Sequence, residues 1–403
     1  MSDAPRIALV SREFPPEVYG GAGVHVEYLA RELRRLTPVT VHCFGAPRSA
    51  ESVIAHGSWD ALAGPAPHLA ALRTLATDLS IAKALEDSEL VHSHTWYANF
   101  AGHLAKLMYG AKHVMTTHSL EPRRPWKAEQ LGGGYALSSF CERTAITHAD
   151  QVIAVSEGMR ADVLAAYPEV EAKRVSVIPN GIDLDEYQRR DEPAVLEAHG
   201  ITPGSTYVIF VGRITRQKGI VHLLAAAHSL PPEVGVVLCA GEADTEQLAK
   251  EFREQYDALS ASRDNVVWIE KMLPRPELIA LLSRARAFVC PSVYEPFGIV
   301  NLEAMACSVP VVASAVGGIP EIVVPDETGL LVPFRPRADG FEPEDPTAFA
   351  ADLASALREL CFDEGRAKRL GAAGRKRVEQ RFAWSSVAAQ TLATYRALLE
   401  KSR

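Results

Sequence analysis

The stretch Thr206-Tyr-Val-Ile-Phe-Val211-Gly212-Arg213-Ile-Thr-Arg-Gln-Lys218-Gly219 decides the fold, because it repeats the way the chain begins. Near the N-terminus, Arg6-Ile-Ala-Leu-Val-Ser11 leads into the glycine run Gly20-Gly21-Ala22-Gly23 and a helical pattern from about Ala22 to Leu36. Each copy is a short apolar strand, a glycine turn and a helix. A strand apolar on both faces is one that helices cover from both sides, as in a parallel sheet.

Working outward, the first half supplies further strands at Val39–Phe44, Glu89–His94, Lys112–Thr117, Gln151–Val155 and Val175–Ile178, with a helical stretch over Leu69–Leu85. The second half has strands at Val234–Ala240, Val266–Ile269, Ala287–Cys290, Pro310–Ala313 and Thr328–Val332, and a helix near Gly219–His228. Pro179-Asn-Gly-Ile-Asp183 between the halves is turn-rich and suits a hinge. The fold class expected is α/β with two Rossmann-like domains and an active-site cleft between them. The N-terminal domain spans 1–181, completed by a C-terminal helix at 384–403, and the C-terminal domain spans 182–383. Pro333 to Pro346 reads as a surface loop.

The 403 residues are 47% hydrophobic and 23% charged, which excludes a disordered chain, a fibre or a disulfide miniprotein. A formal net charge of −8 argues against a nucleic-acid binder or a broadly membrane-adsorbed protein. Six scattered cysteines without a C-x-x-C pair read as buried reduced thiols. The first strand is too short for a signal-peptide core, and no apolar run is long enough to span a bilayer. A cytoplasmic location is expected.

Four constellations carry chemistry. Pro15 to His25 holds glycines after the first strand, where backbone amides and a helix N-terminus accept phosphate. Its spacing is not the dinucleotide fingerprint G-x-G-x-x-G. Arg213 and Lys218 flank a strand-end loop that offers fixed positive charge to a diphosphate. Glu295-Pro-Phe-Gly-Ile-Val-Asn-Leu-Glu303 is a turn entering a helix; it aims Glu295 and the amides of Phe297, Gly298 and Ile299 at a ligand, with Glu303 about two turns along. Thr117-His118-Ser-Leu-Glu121-Pro-Arg123-Arg124-Pro-Trp126-Lys127 combines cations with an aromatic face and suits a phosphorylated sugar. His94 and His118 each end a strand without the paired helical spacing of metal ligands, and Asp183-Leu-Asp185 lies in the hinge, so no metal is expected.

In this combination and order, these segments resemble the retaining family-4 glycosyltransferases of GT-B architecture, over essentially the whole chain. Arg12 to His25 and Thr117 to Lys127 look like the actinobacterial members that form α-maltose 1-phosphate. The resemblance implies a glucosyltransferase that moves glucose from ADP-glucose to α-glucose 1-phosphate in glycogen and α-glucan synthesis. It assigns Arg213, Lys218, Gly21, Ala22 and Gly23 to the donor diphosphate and Glu303 to its ribose. Glu295, Phe297, Gly298 and Ile299 go to the transferring glucose. His118 goes to the anomeric centre and the C6 hydroxyl. Glu17, Tyr19, Glu121, Arg123, Arg124, Trp126 and Lys127 go to the acceptor. ADP-glucose is a substrate, and no cofactor is implied. An α-glucan acceptor and a homo-oligomer stay open. The rivals are a glycogen synthase elongating a primer, a nucleotide-sugar epimerase, a non-enzymatic sugar-phosphate binder, and a lipid glycosyltransferase touching anionic lipid through Arg31, Arg34 and Arg35.

Overall fold

A computed structural model describes residues 4–18, 20–48, 50–338 and 341–400. It divides into two units, one formed by Met1–Gly181 with Trp384–Arg403 and the other by Ile182–Ala383. The break at 181/182 falls inside the turn-rich segment 179–183.

In chain order, the first unit contains β1 (Ile7–Ser11), α1 (Gly21–Arg34), β2 (Val39–Phe44), β3 (Val53–His56), α2 (Pro67–Ala84), β4 (Leu90–His94), α3 (Trp96–Tyr109), β5 (Lys112–Thr117), α4 (Lys127–Leu131), α5 (Gly134–His148), β6 (Gln151–Ala154), α6 (Glu157–Ala166) and β7 (Val175–Val177). The strands form one parallel sheet in the order β3-β2-β1-β4-β5-β6-β7. Register aligns the carboxyl ends: Ser11 lies opposite Cys43 on one side and His94 on the other, and His94 lies opposite Thr116. Such ends, next to the strand where the order reverses, are where open α/β sheets bind ligands. β3 was not foreseen, since Glu51-Ser-Val-Ile-Ala-His56 is too short and polar to announce a strand.

The second unit contains α7 (Pro193–Ala198), β8 (Tyr207–Ile214), α8 (Ile220–Ala227), β9 (Gly235–Ala243), α9 (Glu246–Ser262), β10 (Val266–Ile269), α10 (Arg275–Arg284), β11 (Ala287–Cys290), α11 (Ile299–Ala306), β12 (Val311–Ser314), α12 (Ile319–Ile322), β13 (Gly329–Val332), α13 (Pro346–Phe362) and α14 (Glu364–Arg381). Its parallel sheet runs β10-β9-β8-β11-β12-β13. The register shifts between Gly212 and Ile214, so β8 continues through Arg213 instead of stopping at Gly212. A bulge of this kind re-aims a side chain at a sheet edge or active site.

α15 (Trp384–Glu400) belongs to the first unit. Trp384, Val387, Leu392 and Tyr395 join Leu29, Leu33 and Leu9 in one buried core. The Tyr395 hydroxyl and His92 Nδ1 share a hydrogen bond of 2.6 Å, and this core histidine also meets Thr116 Oγ1 at 2.7 Å. These bonds satisfy polar atoms that would otherwise be costly to bury. All six cysteines are free thiols, five of them buried. Among the described residues no helix is long and apolar enough to cross a membrane.

Candidate active site

In the second unit the donor candidates gather at the switch point between β8 and β11. After β8, Thr215 caps a single 3-10 turn, Arg216–Lys218, by accepting from the Lys218 amide at 3.2 Å. Gly219 then takes φ +59°, and a Cβ there would lie 2.1 Å from the Pro291 carbonyl oxygen. This close approach presses the turn onto the loop after β11, where Val293 N–H donates to the Gln217 carbonyl at 3.0 Å. Lys218 Nζ therefore reaches Glu295 Oε2 at 2.7 Å, and Ser292 Oγ donates to the same oxygen at 3.0 Å. Burial opposes the charge on Lys218, but the adjacent Glu295 more than restores it and raises the pKa. Arg213 pairs with Asp244 at 2.5 Å. Each cation is thus held in place by a carboxylate. Ammonium and guanidinium are the side-chain cations that meet phosphate oxygens in charge-assisted hydrogen bonds.

Glu295 is further clamped from β12. Gly318 N–H donates to the Glu295 carbonyl at 2.9 Å, and Gly317, at φ +52°, brings its Cα so close that a Cβ would sit 2.0 Å from that oxygen. Gly298 opens α11 at φ +100°, leaving first-turn amides without intrahelical acceptors. Phe297 is buried against Phe382. Glu303 is 7% exposed and accepts from the Tyr187 hydroxyl at 3.0 Å. Burial raises its pKa, and the Tyr187 bond partly offsets this. Three residues here escaped the sequence reading: Tyr187, Asp244 and Asn301. Asn301 is fully buried with neither amide atom bonded, next to Gly298. Buried polar side chains are normally hydrogen-bonded, so this amide is a candidate contact of the site. Asp183 Oδ1 accepts from the amides of Asp185 and Glu186, both at 2.9 Å, so that carboxylate caps a turn.

In the first unit, the loop before α1 is tied down by Glu13, whose Oε2 accepts from Gly20 N–H at 2.7 Å. A Cβ on Gly23 would meet Glu13 Oε2 at 2.6 Å, which explains the glycine. Gly21 and Ala22 form the first turn of α1. Glu17 is exposed and ion-paired with Arg48 at 2.7 Å. Tyr19 lies outside the described residues. His118, half-buried past β5, shares 3.1 Å between its Nε2 and His94 Nδ1.

The basic turn after β5 needs one correction. Glu121 is fully buried and cannot touch an acceptor. Its carboxylate takes Arg124 on one oxygen and Ser138 Oγ at 2.7 Å on the other, while its backbone N–H donates to Glu142 Oε1 at 2.8 Å. Its role is to fix Arg124. Arg123 pairs with Asp162 at 2.8 Å and Lys127 donates to Gln130. The segment therefore carries less uncompensated charge than its three cations suggest. Trp126 is half-buried just before α4. Arg31 and Arg35 both bond Glu32, at 3.0 and 2.8 Å, and Arg34 bonds the Ser52 carbonyl at 2.8 Å, which weakens the anionic-lipid reading.

Glu142 is wholly enclosed. Burial first, and then the Glu121 carboxylate, push its pKa up to about 8 against the help of Tyr167. A carboxyl raised on folding binds a proton that the unfolded chain has already released, so stability falls as pH climbs from about 4.5 to about 8. Glu142→Gln keeps an acceptor for the Glu121 amide and for Tyr167 while removing the titration. Thermal melts should show the variant gaining on the parent at pH 8 and losing that advantage at pH 5. A constant difference across this range would remove Glu142 from the account.

The profile described as Glycosyltransferase Family 4 matches residues 19–186, and that described as Glycosyl transferases group 1 matches residues 191–377. The chain is 51% identical over 398 residues to the alpha-maltose-1-phosphate synthase of Mycolicibacterium smegmatis, covering 97% of this chain and 99% of the relative. The chain belongs to the GT-B glycosyltransferases of family 4. A glycogen synthase of Mycobacterium tuberculosis is 29% identical over 424 residues, 97% of this chain and 94% of the relative. Among solved structures, a sucrose-phosphate synthase from Thermosynechococcus elongatus superposes with a TM-score of 0.81 at 25% identity, covering 98% of this chain and all of that one. The protein is thus a glycosyltransferase; its second sheet falls within one matched profile, and its first falls within the other except for β1, which precedes it.

Proposed function

We propose that this glycosyltransferase moves glucose from ADP-glucose to α-glucose 1-phosphate with retention of configuration, giving α-maltose 1-phosphate for α-glucan synthesis. The observation that carries the reading is the full-length 51% identity to an enzyme of that name, against 29% to a glycogen synthase. Supporting it, the turn after β5 presents Arg124 on a buried carboxylate, a fitting for a phosphate monoester.

In this reading the bond from the glucose anomeric carbon to the ADP oxygen breaks, and the acceptor hydroxyl attacks from the same face. Its proton passes to the departing diphosphate oxygen. Arg213 and Lys218 stabilise the charge that collects on that diphosphate. Glu295 and the α11 amides hold the transferring glucose, Glu303 the ribose, and His118 the C6 hydroxyl. No divalent ion is needed, and activity is expected to survive exhaustive EDTA treatment. A loss that magnesium restores would overturn that part.

The deciding experiment is product analysis with ADP-glucose, offering glucose 1-phosphate and glycogen separately. Acceptor-dependent ADP release and a maltose phosphate product are expected with the first. Efficient elongation of glycogen, with glucose 1-phosphate ignored, would make the protein an α-glucan synthase instead. No net ADP release with any acceptor would favour the epimerase or the non-enzymatic binder.

The ribose role predicts a separate result. Removing the buried Glu303 carboxylate should weaken donor binding, seen as a higher Kd for ADP by calorimetry, of about tenfold or more for a charged hydrogen bond. Glu303→Gln keeps one acceptor and should lose less. Unchanged affinity in Glu303→Ala would reject the ribose contact.

A further inference from the structure

We propose that His25, His94 and His118 form a site for a divalent transition-metal ion of the zinc class, and that an ion held there blocks sugar transfer. The three imidazoles come from α1, from the end of β4 and from the residue after β5, and their candidate ligand nitrogens all lie within 4.8 Å of one another. In sequence they are far apart, which is why spacing alone did not suggest a site.

The hydrogen bonds prepare the rings for a metal. His25 Nδ1 stands 2.6 Å from Asn180 Oδ1. A carbonyl oxygen only accepts, so Nδ1 carries the proton and Nε2 keeps its lone pair. That Nε2 is buried with no hydrogen-bond partner, and His25 is 3% exposed. A ring that donates one N–H to a carbonyl while its other nitrogen is left bare is the arrangement found behind metal ligands. His94 is fully buried, and its Nδ1 stands 3.1 Å from His118 Nε2, so the two neutral rings share one proton there that an ion would displace. Burial holds the pKa of His25 down at about 4 and those of His94 and His118 well below the ordinary value, so all three are neutral at pH 7.

Ligand type selects the ion. Three imidazoles without a carboxylate suit zinc, copper or nickel over magnesium or calcium. Zinc–nitrogen bonds of about 2.0–2.1 Å put tetrahedral ligand atoms about 3.3 Å apart. His94 and His118 already approach at 3.1 Å, so His25 supplies most of the closure. His118 is only half-buried, which leaves a route in and an open fourth position. The binding half of the inference stands on this geometry. The blocking half rests on the proposed role of His118 toward the transferring glucose.

The test is equilibrium dialysis of the full chain, first stripped with chelator, against micromolar zinc chloride. One zinc ion per chain is expected in the parent, and a cobalt-loaded sample should show the strong visible absorption of a tetrahedral site. His25→Ala and His94→Ala should abolish both signals. Asn180→Ala, which touches no ion, should weaken zinc binding about ten- to a hundredfold by freeing the His25 ring. Circular dichroism identifies any variant that fails to fold, and Asn180→Ala keeps the comparison decisive if one does. No zinc retained by the parent, or equal retention by parent, His25→Ala and Asn180→Ala, overturns the site. Zinc should also suppress ADP release, and EDTA should restore it; bound zinc without suppression overturns the blocking half. Zinc binding in a protein that gives no maltose phosphate would leave the site standing and remove the proposed function.

Discussion

Lys218→Ala is expected to lower turnover, read as ADP release from ADP-glucose with glucose 1-phosphate present, by about 10²–10³-fold, the usual loss for one transition-state charge contact. Arg213→Ala should fall in the same range. In the proposed reaction the diphosphate gains charge as the anomeric bond breaks, and Arg213 and Lys218 are the cations assigned to it at the β8 strand end. They differ in one respect. Arg213 is 34% exposed and its partner Asp244 lies at the mouth of β9. Lys218 neutralises Glu295, which is 5% exposed and keeps only Ser292 once the lysine is gone. Lys218→Ala should therefore also lower the melting temperature, because a buried charge loses its partner. Adding Glu295→Gln should recover the melting temperature and leave turnover low. Near-parental turnover in both single variants would remove this strand end from the mechanism.

The division into two sheets was legible because a doubly apolar strand followed by glycine and a helix occurs twice, and the break at 181/182 falls in a segment of proline, asparagine and glycine. Strand limits were legible to within one or two residues where apolar runs ended sharply, as at Val39–Phe44 and Ala287–Cys290. β8 was longer than expected because a bulge carries pairing through Gly212 and Arg213, and nothing in local composition announces a bulge. Whether α15 would cap the second unit or return to the first depended on its partner, and the stacking of Trp384 on Tyr28 at 5.6 Å is a contact between residues hundreds of positions apart.

At the candidate site, residue types were legible and partners were not. Arg213, Lys218, Glu295 and Glu303 stand out by charge beside glycine turns. Their counter-groups do not: Asp244 lies 31 residues beyond Arg213, and Glu295 lies 77 beyond Lys218. Tyr187 reaches Glu303 across 116 residues from a segment with no motif. The three histidines illustrate the same limit, since it takes the parallel register of β1, β4 and β5 and the packing of α1 after β1 to gather them. The reading of Thr117–Lys127 as a cluster of cations failed in its detail for this reason. It took Glu121 as a ligand contact, when full burial makes that side chain a support.

This support leads to the acceptor prediction. Of the three cations, Arg124 is the one expected to hold the acceptor phosphate. Its side chain is 13% exposed and leans on Glu121, so little conformational entropy remains to be lost on binding. A planar guanidinium matches a phosphate edge through two parallel N–H bonds, which an ammonium cannot do. Arg123 is 37% exposed and committed to Asp162 on α6. Arg124→Ala should raise the KM for glucose 1-phosphate by roughly ten- to over a hundredfold, from about 1.5–3 kcal/mol per charged hydrogen bond. The donor KM should hardly move. Arg123→Ala should cost less, since its charge is already balanced. Glu121→Gln tests the support: it keeps the volume and one acceptor oxygen, replaces the other oxygen by an amide nitrogen, and removes the charge that fixes Arg124. It should raise the acceptor KM by a smaller factor and leave kcat nearly intact, which a merely unfolded chain would not do. A phosphate monoester buried without a cation is costly, whereas a neutral glucan end needs none. The same Arg124→Ala change should therefore leave whatever activity exists on maltose or glycogen unaltered. If it depresses both acceptors equally, Arg124 serves the fold of the turn and not the phosphate, and the preference for glucose 1-phosphate must come from elsewhere in the first unit.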